Sequence, residues 1–219
     1  MERLIYLAIA TVCKVFAIVI ASTAHAYVRA ACSHAMGDPL PRQKGRLTLN
    51  PFKHVEPIGA ILIFISGFGW AQPVTTSPGY YKDMRRGILI TYTMPIISNL
   101  LITLLCMVGL TFMSAPPPVG SFVFVSGSQL AALALYSFLA FTAVINFKMA
   151  VFNLLPVYPF CGARLLSLMV KPSRLMGLLR HETIALLILT VLAAIGFMNY
   201  IVNPLVTLVT GITDPTFLY

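Results

Sequence analysis

A chain of 219 residues that is 58% hydrophobic and only 10% charged, with a mean hydropathy of +0.89, lies far outside the composition of a soluble globular domain. The net charge of +9 does not point to nucleic acid, because the basic residues fall in short clusters between apolar runs, as loop charges that orient a membrane protein do. Composition therefore predicts an all-α polytopic membrane protein surrounded by lipid, with no nucleic-acid partner.

Crossing about 30 Å of hydrocarbon takes roughly 20 helical residues. Four runs are long enough: Leu4 to Val28, Gly87 to Met113, Gln129 to Leu155 and Thr183 to Val206. A fifth run, Ile58 to Trp70, is shorter and carries Gly67 and Gly69. Its length and glycines predict a re-entrant element or a β-hairpin rather than a spanning helix. Residues 1–219 form one membrane-embedded domain in this reading, with no appended soluble domain and no internal repeat.

The charges between runs set the expected orientation. Arg29, Arg42, Lys44, Arg46 and Lys53 precede the short run, and Lys82, Arg85 and Arg86 follow it. Both of its ends are thus expected on the cytoplasmic side, with the N-terminus outside. The loop from Ser114 to Ser128 is uncharged, and its Ala115-Pro-Pro-Pro118 stretch reads as a stiff external turn. Ser121-Phe-Val-Phe-Val-Ser beside it suits an interfacial segment or a short strand. Arg164, Lys171, Arg174 and Arg180 return the chain to the cytoplasmic side. A cleaved signal peptide is the competing reading of the first thirty residues. Lys14 interrupts its apolar stretch, and cleavage would place the most basic loop outside.

Several residues stand out against this background. Cys13, Cys32, Cys106 and Cys161 show no CxxC spacing, and all but Cys161 read as small core residues. Lys14 and Lys148 lie inside apolar runs, where a charge is costly unless it faces a polar interior. Snorkelling to an interface is the ordinary alternative, more natural for Lys148. At about 100° per residue, Lys14, Ala21 and His25 share one helix face. Pro156 and Pro159 forbid regular helix, and irregular backbone at membrane depth must line a cavity or be buried in protein.

The order of short motifs carries a family resemblance. Asn153-Leu-Leu-Pro156-Val-Tyr-Pro159-Phe-Cys161-Gly162 resembles the NxxPxxPxDG segment of the site-2 proteases, intramembrane zinc metalloproteases, with Cys161 in the place of the ligating Asp. Gly45-Arg-Leu-Thr-Leu-Asn-Pro-Phe-Lys-His54-Val-Glu56-Pro57-Ile-Gly59 is similar to their GRLTLNPxxHxDPxG stretch. Phe68-Gly-Trp-Ala-Gln-Pro73-Val, Arg85-Arg86-Gly87, Pro95 with Asn99, and Asn146 complete the register, with Met94 where a Gly is usual. Segment Ala21-Ser22-Thr23-Ala24-His25 is placed against the family's HExxH, so that Ala21 replaces the first His, Ser22 the Glu, and His25 remains.

What the resemblance implies is a zinc protease chemistry that these residues have largely lost. In the family two His and one Asp hold Zn²⁺ with one position open for water, and the Glu takes a proton from that water. A rearranged metal site of His25, Cys161 and His54 is conceivable, but the resemblance favours no cofactor. One of the two lysines is expected to replace the lost charge of zinc. Asn153, Pro156 and Pro159 are the expected peptide-binding positions, since active relatives hold their substrate as an extended strand there. The leading expectation is a pseudoprotease in a bacterial plasma membrane that binds a transmembrane peptide or single-span protein without cutting it. The alternatives are an active zinc metalloprotease of regulated intramembrane proteolysis with a substituted ligand set, and a small transporter or assembly factor using Lys14 or Lys148.

Overall fold

A computed structural model describes residues 2–113, 127–158, 160–170 and 182–212. The polyproline turn, the segment from Ser121, Pro159, and the basic residues Lys171, Arg174 and Arg180 lie outside the described residues. Among the described residues every regular element is helical.

Three long helices form the core. α1 runs Glu2–Ala35, and the short α2 (Leu40–Gln43) follows it. α3 covers Pro57–Ser66, α4 Met84–Thr111 and α5 Gly127–Phe152. α1, α4 and α5 pack against one another and are each long and apolar enough to span a membrane. Their lipid-facing sides are apolar, as at Phe16, Leu101, Leu105 and Leu135, while their mutual interface buries both small apolar and polar side chains. The helix α6 (Cys161–Leu166) packs on α4, and α7 (Glu182–Ala194) and α8 (Phe197–Thr210) close the other side.

The short apolar run is a ten-residue helix, α3, and not the β-hairpin that sequence left open. Pro57 supplies its first turn, the Glu56 side chain accepts from the Gly59 N–H, and Gly67 ends it at φ +79°. The chain then folds back along α3 without regular structure from Phe68 to Ser77. Gly59 and Gly69 make this possible: a Cβ on Gly59 would stand 2.1 Å from the Trp70 carbonyl, and one on Gly69 2.2 Å from the Gly59 carbonyl. Arg46 holds the returning segment from outside, donating to the carbonyls of Gln72 at 2.9 Å and Pro73 at 3.2 Å, and also to that of Lys53.

The fourth apolar run is not one straight span. α7 and α8 meet at Ile195-Gly196 with a bend of 69°, where Gly196 adopts φ +76°. Continuous hydropathy hid this break, because an apolar Ile precedes the glycine and the run resumes at once.

A buried carboxylate organises the loop after α1. Asp38 is fully buried, accepting from Ser33 Oγ at 2.9 Å, the Ser77 N–H at 2.7 Å and the Leu40 N–H at 3.0 Å. It thereby ties the end of α1 to the segment that enters α4. Asp38→Ala is expected to cost about 3 kcal/mol, since three donors lose a charged partner in a buried place. Thermal unfolding in detergent measures it, with Asp83→Ala at the exposed cap of α4 as the milder comparison.

Candidate functional site

The centre of the molecule is a chain of polar groups between α1, α4 and α5. Asn146 Nδ2 donates to the Thr142 carbonyl at 2.8 Å, which turns its Oδ1 toward Asn99 Nδ2, also at 2.8 Å. Asn99 Oδ1 is then left facing His25 Nδ1 at 2.8 Å. A backbone carbonyl can only accept, so its position orders the whole relay: His25 carries its proton on Nδ1 and presents a bare Nε2. Thr103 Oγ1 braces the relay by donating to the carbonyls of Asn99 and Ala143.

His25 Nε2 faces Cys161 Sγ at 3.7 Å. A third side chain meets them: Arg29 Nη2 donates to Cys161 Sγ at 2.8 Å, and the guanidinium lies over the Tyr92 ring at 5.1 Å. His25, Arg29 and Cys161 are all buried. Residues four apart share a helix face, which places His25 and Arg29 side by side on α1. Cys161 arrives from the other direction because the chain leaves helix after Phe152, and Asn153 and Gly162 close the resulting loop through a 2.8 Å backbone hydrogen bond.

Arg29 is the residue that sequence reasoning missed as part of this centre. It was assigned to the orienting loop charges, whereas α1 continues helical to Ala35 and carries Arg29 inward. Its signal was the four-residue spacing from His25. The two lysines expected to supply the missing cation make their described contacts elsewhere. Lys148 is completely buried and does not snorkel, but its Nζ donates to Asn199 Oδ1 at 3.0 Å and lies 5.0 Å over the Phe68 ring. Asn199 Nδ2 in turn donates to the Ser66 carbonyl, so this cluster joins α3, α5 and α8. Lys14 is half-buried with its ammonium 4.9 Å over the Phe64 ring of α3.

The other expected positions disperse. Ala21 is buried, and its carbonyl accepts from Asn99 Nδ2 at 3.4 Å; Ser22 Oγ is buried without a partner. His54 turns away to the Thr48 carbonyl at 2.6 Å, and burial lowers its pKa from the ordinary value. His54 therefore does not join His25 and Cys161. Among the described residues no three His, Cys, Asp or Glu side chains come together. Asn153 Nδ2 caps its own helix, donating to the Met149 carbonyl at 2.9 Å. Pro156 is exposed.

Beside the centre runs a crevice lined by His25, Ala26, Arg29, Asn153, Phe160 and the strip from Trp70 to Val74. It is closed down to about 10 Å³. Arg29, Pro73 and Val74 also line an adjoining pocket of about 140 Å³.

The family model of peptidase family M50 matches residues 7–198, most of the chain and all of this centre. The chain belongs to peptidase family M50. This M50 chain is also 30% identical over 194 residues to the "Putative zinc metalloprotease YwhC" of Bacillus subtilis (strain 168), an alignment covering 87% of the chain and 84% of that relative. No solved structure matches it. Membership, with three to four apolar helices of spanning length, makes it an integral multi-pass membrane protein of the M50 fold.

The family implies zinc, and the donor set can be tested against it. A catalytic zinc site takes three protein ligands with an open fourth position. Here Nε2 of His25 and Sγ of Cys161 are donors of the right kind, but the third side chain at the centre is a guanidinium, which has no lone pair and is always charged. A fixed cation 2.8 Å from the sulfur repels a divalent ion and occupies the sulfur's hydrogen-bonding direction. The residues do not fit zinc.

Proposed function

We propose that this M50 protein binds a membrane-embedded peptide or single-span partner without cutting it, with the guanidinium of Arg29 standing where its relatives place a metal. The observation that carries this reading is the contact of Arg29 with Cys161, one turn of helix from His25. It also implies a different register for the family's HExxH motif. In that register His25 is the first of the two helical positions, Arg29 the second and Ala26 the general-base position, one turn later than the assignment to Ala21, Ser22 and His25. Ala26 lines the crevice beside His25 and Arg29, as a residue in that position should.

With Ala26 there is no group to take a proton from water, and with Arg29 there is no third metal ligand. Binding chemistry remains. The segment from Phe68 to Ser77 has no helix or strand of its own, lines the crevice from Trp70 to Val74, and is held by Arg46 at Gln72 and Pro73 and by Asp38 at Ser77. An extended peptide can pair with such a backbone by main-chain hydrogen bonds while its side chains stay in lipid.

The test is zinc content together with peptide integrity. The detergent-purified protein, incubated with equimolar zinc and desalted, is expected to retain only background metal and to bind an apolar peptide that mass spectrometry recovers whole. One zinc per chain, lost on Cys161→Ala, would overturn the proposal in favour of a rearranged metalloprotease.

A further inference from the structure

The pocket next to the crevice has an unusual charge balance. Its lining includes Arg29, Arg164, Thr75, Thr76, Tyr92 and Tyr158, and among the described residues that line it there is no Asp or Glu. Arg29 is 6% exposed, and among the described residues its Nε has no hydrogen-bond partner and its Nη2 donates to Cys161 Sγ. The lining thus sets no carboxylate against either Arg29 or Arg164. Burying a guanidinium without a carboxylate, as at Arg29, is costly, and an anion relieves the cost; Arg164, which is exposed, adds a second positive charge to the lining.

The rest of the lining suits an oxyanion. Thr75, Thr76, Tyr92 and Tyr158 are hydroxyl donors, and only Thr76 and Tyr92 bond to each other, at 2.7 Å. Two guanidinium groups and several hydroxyls around one small space is a donor-rich arrangement that fits a carboxylate or phosphate oxygen. The volume of about 140 Å³ is roughly that of four to five waters, enough for one small carboxylate-bearing residue.

The shape decides what kind of ligand ends here. The pocket shares Arg29, Pro73 and Val74 with the crevice, and the crevice itself holds only about 10 Å³. A chain that fills the larger pocket therefore has no room to run on past Arg29 to His25. We infer that the Arg29 and Arg164 pocket receives the free C-terminal carboxylate of an apolar peptide. This rests on the peptide-binding reading above and adds to it the identity of the recognised group: a chain end, not a passing chain.

The experiment compares one short apolar peptide, labelled at its N-terminus, in two forms: C-terminal acid and C-terminal amide. Fluorescence anisotropy against the intact protein in neutral detergent is expected to show at least tenfold tighter binding of the acid. In Arg164→Gln, whose side chain is exposed and not needed for packing, the acid-to-amide ratio is expected to fall toward one while amide binding is unchanged. Arg29→Gln should remove the preference as well, and circular dichroism checks that it folds. Equal binding of acid and amide by the parent overturns the carboxylate pocket alone, including the case in which a lipid phosphate fills it first. Failure of both forms to bind overturns the peptide-binding reading and this inference together.

Discussion

The double variant Arg29→His, Cys161→Asp is expected to bind one zinc ion per chain, and the parent to retain only background metal. The variant presents His25, a second His four residues on, and a carboxylate from α6, which is the three-ligand set of a catalytic zinc site. The frame for it already exists. Asn99 holds the Nδ1 proton of His25 and so points the Nε2 lone pair inward, the outer hydrogen bond that orients a metal-bound imidazole. Removing the guanidinium takes away the repelling charge at the same stroke. The expected change is large, since folded-in zinc sites gain on the order of 10 kcal/mol. The register makes the prediction discriminating. Ala21→His with Cys161→Asp, which restores the motif on the earlier assignment, should bind no zinc, because Ala21 lies where Asn99 Nδ2 meets its carbonyl. Zinc in the second variant and not in the first would show that the centre is built around Ala21 and His25. Adding Ala26→Glu to the first variant is the further step toward hydrolysis, placing a carboxylate at the base position of the proposed register.

The second large effect is structural. Gly162→Ala should unfold the loop that delivers Cys161, at a cost of about 3 kcal/mol or more. A Cβ at Gly162 would stand 2.1 Å from the Leu154 carbonyl and 2.5 Å from that of Leu155, both backbone atoms that cannot rotate away. The loop is closed by the Gly162 N–H to the Asn153 carbonyl, so displacement also breaks the hydrogen bond that follows the end of α5. Gly127→Ala is the control: nothing lies within 4 Å of its added carbon, and it should be neutral or slightly stabilising. Differential scanning fluorimetry in one detergent compares the two. A Gly162→Ala protein as stable as the parent would mean that the loop is held by other contacts than these.

The sequence made much of the frame legible and one essential part of the centre illegible. Three of the spanning helices announced themselves by length and hydropathy, because nothing in their interior competes with an apolar helix in lipid. The polar relay was half visible: Asn99, Asn146 and His25 were noted as family matches, but hydrogen-bond order depends on which carbonyl anchors it, and Thr142 has no sequence signal. Arg29 was lost because a basic residue after an apolar run ordinarily marks the membrane surface. Only the continued helix to Ala35 shows that it turns inward. Lys148 stood out in the sequence as a charge within an apolar run for which snorkelling was natural; it is buried, and its partner Asn199 lies 51 residues away beyond a bend that hydropathy does not display.

α1 has a consequence for depth. Its 34 residues make a rod of about 51 Å, well beyond the roughly 30 Å of hydrocarbon. Tilts of spanning helices stay below about 40°, which cannot absorb the excess, so one end of the rod must stand in the headgroup layer. Arg29 lies about 38 Å along it from Leu4. The end that carries Arg29 and its pocket is therefore expected near the boundary between oil and water, where a pocket that receives chain ends would sort them by the level at which they terminate.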